Sequence, residues 1–189
     1  MNTKISVTDG WNDRSNELTP RLKRRGHESG FTLIELTVVM LIVTMLSVIA
    51  LPSFLNQANK AKQSEAKTYT GTFLRAQQAY YLEQHAFAAT LDLLSAGIPT
   101  QTANYQYLAD GPYNIAAPDE NIVIFGNSLK APLKSYTGMV QVGMLTGSGE
   151  VTTLMSLCES NSPGLGSIPA PVPATNGPVC SPGTTAIMK

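Results

Sequence analysis

Residues 30–52 read GFTLIELTVVMLIVTMLSVIALP, and this stretch decides the fold. From Phe31 to Leu51 it holds 21 residues and one charged side chain, that of Glu35. A helix needs about 20 predominantly apolar residues to cross a bilayer, so the run is long enough to span a membrane. The sequence therefore predicts a long N-terminal helix whose first part, residues 31–52, is transmembrane.

The carboxylate of Glu35 is costly in such a run, because moving it to the bilayer centre takes roughly 2.5–3.5 kcal/mol. It lies only five residues into the run, so it could stay near the headgroups without a partner. Alternatively, cleavage between Gly30 and Phe31 would create an α-amino cation at Phe31. A unit charge pair at about 4 Å contributes about 4 kcal/mol at an effective dielectric of 20. Such a pair would offset the cost of burying Glu35.

The residues Gly30-Phe31-Thr32-Leu33-Ile34-Glu35 resemble the processing site of type IV prepilins and of the related type II secretion pseudopilins. The resemblance implies that a prepilin peptidase cuts after Gly30 and methylates the new N-terminal residue, Phe31. It also implies that Glu35 is the assembly residue, which pairs with the amino terminus of a neighbouring subunit. Pro52 falls at mature position 22, where the family tends to have proline.

A second, looser resemblance concerns residues 75–83. Their sequence, RAQQAYYLE, is similar to the end of the long helix in cyanobacterial major pilins. It suggests that branch of the pilin family.

The first 30 residues are polar and carry six basic and four acidic side chains. We interpret residues 1–30 as a cytoplasmic prepilin leader, because basic residues flank the N-terminal side of the apolar run and favour a cytoplasmic location. An ordinary secretory signal is the alternative, with residues 48–50 as a small-residue cleavage site. The basic residues near the two ends of the run are Arg14, Arg21, Lys23, Arg24 and Arg25 before it, and Lys60, Lys62 and Lys67 after it.

A helical pattern continues beyond the apolar run to about Gln84. We therefore predict one helix over residues 31–84, kinked at Pro52, which removes a backbone hydrogen bond. Its second half should be apolar on one stripe only and should pack on a sheet. The predicted stripe consists of Leu55, Ala58, Ala61, Ala66, Tyr69, Phe73, Ala76 and Tyr80.

Residues 85–189 are predicted to form a globular head, giving an α+β pilin fold with the helix packed on a small antiparallel sheet. Residues 85–112 are expected to be a loop with a short helical turn at residues 91–94. Three or four strands should follow. They are predicted at residues 121–125, 136–145 and 151–155, with a hairpin turn at residues 147–149.

Cys158 and Cys180 bracket a segment rich in proline and glycine that cannot form a helix or a central strand. If the head is exported, a disulfide between them is expected, and it would contribute roughly 3 kcal/mol in the chain-entropy model. Two unpaired cysteines in a flexible tail are the alternative.

The sequence offers little for catalysis, so we predict that the protein is not an enzyme and needs no cofactor. A nucleophile elbow, a P-loop and a CxxC pair are all absent from it. His85 is interpreted as a helix-end residue. Asp110, Asp119 and Glu120 could form a calcium site, but their spacing fits no EF-hand, and no metal site is predicted. The charge is formally zero, with 13 basic and 13 acidic residues, and no concentrated basic patch points to nucleic acid.

The resemblance implies a structural function, that of a subunit of a type IV pilus filament supporting motility, adhesion or DNA uptake. The implied partners are further copies of the chain, the prepilin peptidase and the pilus assembly machinery of the inner membrane. The precursor would be a single-pass inner-membrane protein with a cytoplasmic leader, and the assembled form an extracellular pilus or a periplasmic filament. The alternatives are a type II secretion pseudopilin and a single-pass membrane-anchored binding protein.

Overall fold

A computed structural model describes residues 30–111, 121–144, 147 and 149–188 of the 189-residue chain. The calcium hypothesis falls partly outside them, since Asp119 and Glu120 are not described, and so does the predicted leader up to residue 29. The elements in chain order are helix α1 (Leu33–Gln84), a single-turn 3-10 helix (Leu91–Leu94) and strands β1 (Tyr105–Asp110), β2 (Asn121–Ser128), β3 (Tyr136–Met144), β4 (Val151–Ser160) and β5 (Thr184–Met188).

The five strands form one antiparallel sheet in which each strand pairs with its neighbours in sequence. The predicted α+β class, with a long helix packed on a small antiparallel sheet, is confirmed. The expected number of strands was too low. Strand β1 lies in the segment predicted to be a loop, and β5 follows the proline-rich segment, where no strand was predicted. Strand β2 also continues to Ser128, beyond its predicted end at residue 125.

The chain divides into two compact units, residues 1–44 and 45–189. The described part of the first unit is the beginning of α1. Its large apolar side chains are exposed, from Phe31 at 88% to Val43 at 50%. The second unit contains the remainder of α1, the 3-10 helix and the sheet.

Within the second unit, α1 packs on the sheet through a narrower stripe than the sequence predicted. Leu55 and Ala61 are exposed although both belong to the predicted stripe, which was therefore wrong at its N-terminal end. Polar residues that hydrophobicity cannot single out are buried at helical spacing among the apolar ones. The buried α1 residues are Ala66, Thr70, Gly71, Phe73, Leu74 and Gln77.

Two sheet glycines allow the helix to approach closely. A Cβ at Gly138 would overlap the side chain of Leu74 and lie 3.0 Å from the backbone oxygen of Ser156. A Cβ at Gly126 would lie 2.7 Å from the hydroxyl of Thr70. Both positions therefore require glycine for reasons of space, and they set the distance between helix and sheet.

A cluster of aromatic rings fills the core between α1 and the sheet. The Tyr107 ring lies 5.8 Å from that of Tyr69, 5.7 Å from that of Phe73 and 6.4 Å from that of Tyr105. Tyr105 lies 6.3 Å from Tyr136. Burial raises the pKa values of Tyr105, Tyr107 and Tyr136 well above their usual range, because the phenolate form would be poorly solvated there.

The segment between the cysteines covers the opposite face of the sheet. Ala170 packs with Val123 and Met139 in a second, smaller core. The side-chain amide of Gln141 donates to the Ala174 carbonyl at 2.7 Å and accepts the Ala174 N–H at 3.2 Å. Cys158 and Cys180 form the predicted disulfide, which ties the end of this segment to β4. The sheet is therefore buried on both faces.

Candidate functional site

The candidate site is the beginning of α1, where the sequence predicted processing and assembly. The Thr32 backbone N–H and its hydroxyl both donate to one carboxylate oxygen of Glu35, at 2.9 and 2.8 Å. The Glu35 N–H donates back to the Thr32 hydroxyl oxygen at 3.2 Å. Since α1 begins at Leu33, this reciprocal pattern is a capping box with Thr32 as N-cap and Glu35 three residues later.

The capping box fixes where the Glu35 carboxylate points. It is held back toward the N-terminal end of the helix, where the first N–H groups and the helix dipole favour a negative charge. Phe31 immediately precedes the N-cap. An α-amino group at Phe31 would therefore lie one residue before Thr32, the hydrogen-bond partner of the Glu35 carboxylate. The capping role of Thr32 was not predicted, although the spacing T-x-x-E before an apolar run is the known signal for this motif.

One face of the helix beginning combines this carboxylate with apolar groups. Phe31, Ile34, Val38 and Val39 line a shallow surface depression that includes Glu35. The four apolar side chains that line it are all exposed, for example Ile34 at 66% and Val39 at 52%. A face of this kind is unfavourable in water, and it fits an apolar environment such as lipid or other helices.

The threonines in the apolar run already have hydrogen-bond partners. The Thr37 hydroxyl donates to the Ile34 carbonyl at 2.9 Å, and the Thr44 hydroxyl donates to the Leu41 carbonyl at 2.8 Å. Polar groups without partners are costly away from water, so these bonds make the run suitable for an apolar setting. The best 18-residue window of α1 has a mean hydropathy of 2.5 and is not buried within the chain.

The helix continues through Pro52, which lies within α1. The helix kink at Pro52 remains a prediction.

The other candidate residues lie apart from this region of the sequence. His85 follows α1 with a positive φ of 57°, and its N–H donates to the Tyr81 carbonyl, so it ends the helix. Asp110 is the last residue of β1. Among the residues that the structure describes, no group of three His, Cys, Asp or Glu side chains could hold a metal ion.

Two family matches cover most of the chain. The prokaryotic N-terminal methylation motif matches residues 25–51, which include the capping box. The family described as type IV pilin-like G and H matches residues 63–182, from the second half of α1 to the segment after the disulfide. The chain belongs to the type IV pilin-like family. Members of this family are structural proteins, which agrees with the prediction that the chain is not an enzyme.

Three curated proteins are similar to this pilin-like chain over shorter stretches. It is 41% identical to the type IV major pilin protein PilA of Myxococcus xanthus over 59 residues, which are 31% of this chain and 27% of PilA. It is 32% identical to the type II secretion system core protein G of Pseudomonas aeruginosa over 83 residues, 44% of this chain and 58% of that protein. It is 36% identical to the fimbrial protein EcpC of Eikenella corrodens over 81 residues, 43% and 51% of the two chains.

The chain thus spans between about a quarter and three fifths of the length of these relatives. They include both pilins and a secretion protein, which agrees with the predicted relation to both groups. None of the three supports the suggested cyanobacterial branch. No solved structure matches the chain significantly.

Proposed function

We propose that this pilin-like chain is the structural subunit of a type IV pilus filament. In this proposal residues 1–30 are a cytoplasmic leader, a prepilin peptidase cleaves after Gly30, and the new amino terminus at Phe31 is methylated. Residues 31–52 anchor the precursor in the inner membrane and later form the filament core. Residues 85–189 form the head, and the filament supports motility, adhesion or DNA uptake.

The observation that carries the proposal is the arrangement of Glu35 within the methylation motif. Its carboxylate is held toward the beginning of the helix and lies on a face of exposed apolar side chains. Such a face needs an apolar partner, and a carboxylate among apolar groups needs a cation. A neighbouring copy that has been cleaved supplies both, an apolar helix and an α-amino group. Assembly is thus coupled to cleavage.

The test separates the charge of Glu35 from its role in the capping box. Glu35→Gln keeps an N3 side chain suited to the capping box but removes the charge. Thr32→Val removes the hydroxyl bonds of the box but keeps both the charge and the backbone N–H bond that holds it. We expect Glu35→Gln and Glu35→Ala to abolish sheared surface filaments while the cleaved protein still accumulates in the membrane. Thr32→Val should retain filaments. Mass spectrometry of the N-terminus reports cleavage and methylation in every variant.

Normal filament yield in Glu35→Gln would refute the proposed charge pairing. A wild-type chain that keeps residues 1–30 and stays monomeric in the membrane, beside an active prepilin peptidase, would refute the function itself. That result would favour a membrane-anchored binding protein.

The second candidate is a pseudopilin of a type II secretion system. The similarity to the core protein G of Pseudomonas aeruginosa favours it, because that alignment covers more of both chains than the one with the Myxococcus pilin. Deletion of the gene distinguishes the two. Loss of surface pili with intact protein secretion supports the pilus subunit, and the reverse phenotype supports the pseudopilin.

A further inference from the structure

Charged side chains are segregated along the second compact unit. Five lysines lie at one end, which we call the basic end. Three of them are on α1, and the other two are in the connection between β2 and β3. They are Lys60, Lys62, Lys67, Lys130 and Lys134.

Contacts between α1 and the sheet locate both groups of lysines at the same end. Strand β2 reaches its last residues beside Thr70, because a Cβ at Gly126 would touch the Thr70 hydroxyl. The β2–β3 connection therefore lies beside the part of α1 that precedes Thr70. The Tyr105 hydroxyl donates to the Lys134 carbonyl at 3.0 Å. The charge of Glu65, which lies on α1 among the lysines, also raises the pKa of this hydroxyl, so Lys134 and this part of α1 lie near the same side chain.

Exposed acids lie at the opposite end, which we call the acidic end. Glu83 is in the last turn of α1, Asp110 is the last residue of β1, and Glu150 precedes β4. Gln78 donates to the Thr153 carbonyl at 3.1 Å, which locates the end of α1 near the beginning of β4. Among the described residues the acidic end contains no lysine, and Arg75 lies on α1 between the two ends, eight positions before Glu83.

The two ends are too far apart to attract each other within one molecule. Lys60 and Glu83 are 23 positions apart on α1, which corresponds to about 35 Å at about 1.5 Å per residue. Salt screens charges beyond about 8 Å at physiological ionic strength. Two acids at the basic end are exceptions. Glu159 forms an ion pair with Lys134 at 2.6 Å, and Glu65 lies near the tyrosine core. The segregation therefore contributes little to folding and suits a contact between molecules.

We propose that the acidic end of one copy binds the basic end of a second copy, in a head-to-tail contact along the direction of α1. The inference rests on the proposed filament function and adds the surfaces through which heads meet. Like ends repel, so the charges disfavour a symmetric dimer joined end to end through two acidic or two basic ends. A contact between two different surfaces continues from copy to copy, and it builds an open helical filament when the rotation between copies does not close a ring. Complementary charges also fix the register of such a contact.

The basic end has one other candidate partner, the anionic headgroups of a membrane, because its lysines follow the apolar run. That alternative needs no acidic end. A charge swap separates the two explanations, since changing the acids cannot restore membrane binding that reversal of the lysines has weakened.

The experiment uses the full chain in its host. One variant, Lys60→Glu/Lys67→Glu, reverses the basic end, and another, Glu83→Lys/Asp110→Lys, reverses the acidic end. A third variant combines all four changes. Each reversal should reduce the mass of sheared filaments at least about tenfold, which corresponds to about 1.4 kcal/mol per contact. The combined variant should recover most of the wild-type yield. The matched control, Lys60→Arg/Lys67→Arg, keeps the charge and should assemble normally.

Cleavage after Gly30, methylation at Phe31 and membrane accumulation are measured in every variant, so that a folding or processing defect is recognised. If the wild-type chain forms filaments and the reversal variants yield the same filament mass, this inference is overturned and the proposed function stays intact. A combined variant that assembles no better than the lysine reversal alone would also overturn it and favour membrane binding. A wild-type chain that is neither cleaved nor assembled overturns both proposals.

Discussion

At the residue scale, short-range hydrogen bonds decide which polar groups can leave water. Glu35 is tied to Thr32, and the threonines of the apolar run bond to backbone carbonyls one turn earlier. In the head, the polar groups of the Gln77 side chain are also paired with backbone groups. This completely buried side chain donates to the Ala88 carbonyl at 2.8 Å and accepts the Ala88 N–H at 2.9 Å. It thereby fixes the chain just after α1 to the helix.

Replacing Gln77 should be strongly destabilising. Gln77→Ala leaves a buried N–H and a buried carbonyl without partners, and each such group costs about 1–3 kcal/mol. We expect the free energy of unfolding to fall by about 2–4 kcal/mol in urea denaturation of the detergent-solubilised chain. Gln84→Ala, at an exposed position of the same helix, is the control and should change stability little. Equal midpoints for the two variants would contradict the role given to Gln77.

At the element scale, the distance between α1 and the sheet depends on two sheet positions that are occupied by glycine. Gly126 and Gly138 open the sheet surface to Thr70 and Leu74. On the other face, Ala170 packs on Val123 and Met139. The Gln141 side-chain amide makes two hydrogen bonds to the backbone of Ala174, as the backbone of a neighbouring strand would. The proline-rich segment thus covers the sheet without forming a strand of its own.

A methyl group at Gly138 should separate the helix from the sheet. Gly138→Ala overlaps Leu74 and approaches the Ser156 backbone, and overpacking of this kind typically costs about 1–3 kcal/mol. Thermal unfolding should report the loss. Gly164→Ala is the matched control, because nothing lies within 4 Å of its Cβ position. The double variant Gly138→Ala/Leu74→Ala should be less destabilised than the sum of the two single changes. Simple additivity would rule out the proposed clash.

At the scale of the whole molecule, the buried tyrosines make the stability of the head depend on alkaline pH. Their pKa values are raised in the folded state, chiefly by burial and secondarily by nearby charges such as that of Glu65. Unfolding lets these phenols ionise near their ordinary pKa of about 10. Their contribution to stability is therefore complete below about pH 10 and decreases as the pH rises above it.

We expect the urea midpoint of the detergent-solubilised chain to be insensitive to these tyrosines below about pH 10 and to fall above it. Tyrosinate absorbance should rise together with unfolding. The Tyr107 hydroxyl is buried and has no hydrogen-bond partner among the described residues. Tyr107→Phe should therefore keep the stability at neutral pH and reduce the alkaline loss. An unchanged alkaline loss in this variant would contradict the assignment.

The sequence by itself determined the long helix, the α+β class and the family, because these depend on local signals. The 21-residue apolar run, the methylation motif and the proline-rich segment between the two cysteines can all be read along the chain. Strands β1 and β5 could be located only in the tertiary structure, since β1 lies in the segment expected to be a loop and β5 is short and pairs only with β4. The burial of Thr70 and Gln77 and the space at Gly138 also depended on it, because each arises from partners distant in sequence. The same holds for the separation of the basic and acidic ends, which exists only once β1 to β4 are aligned beside α1.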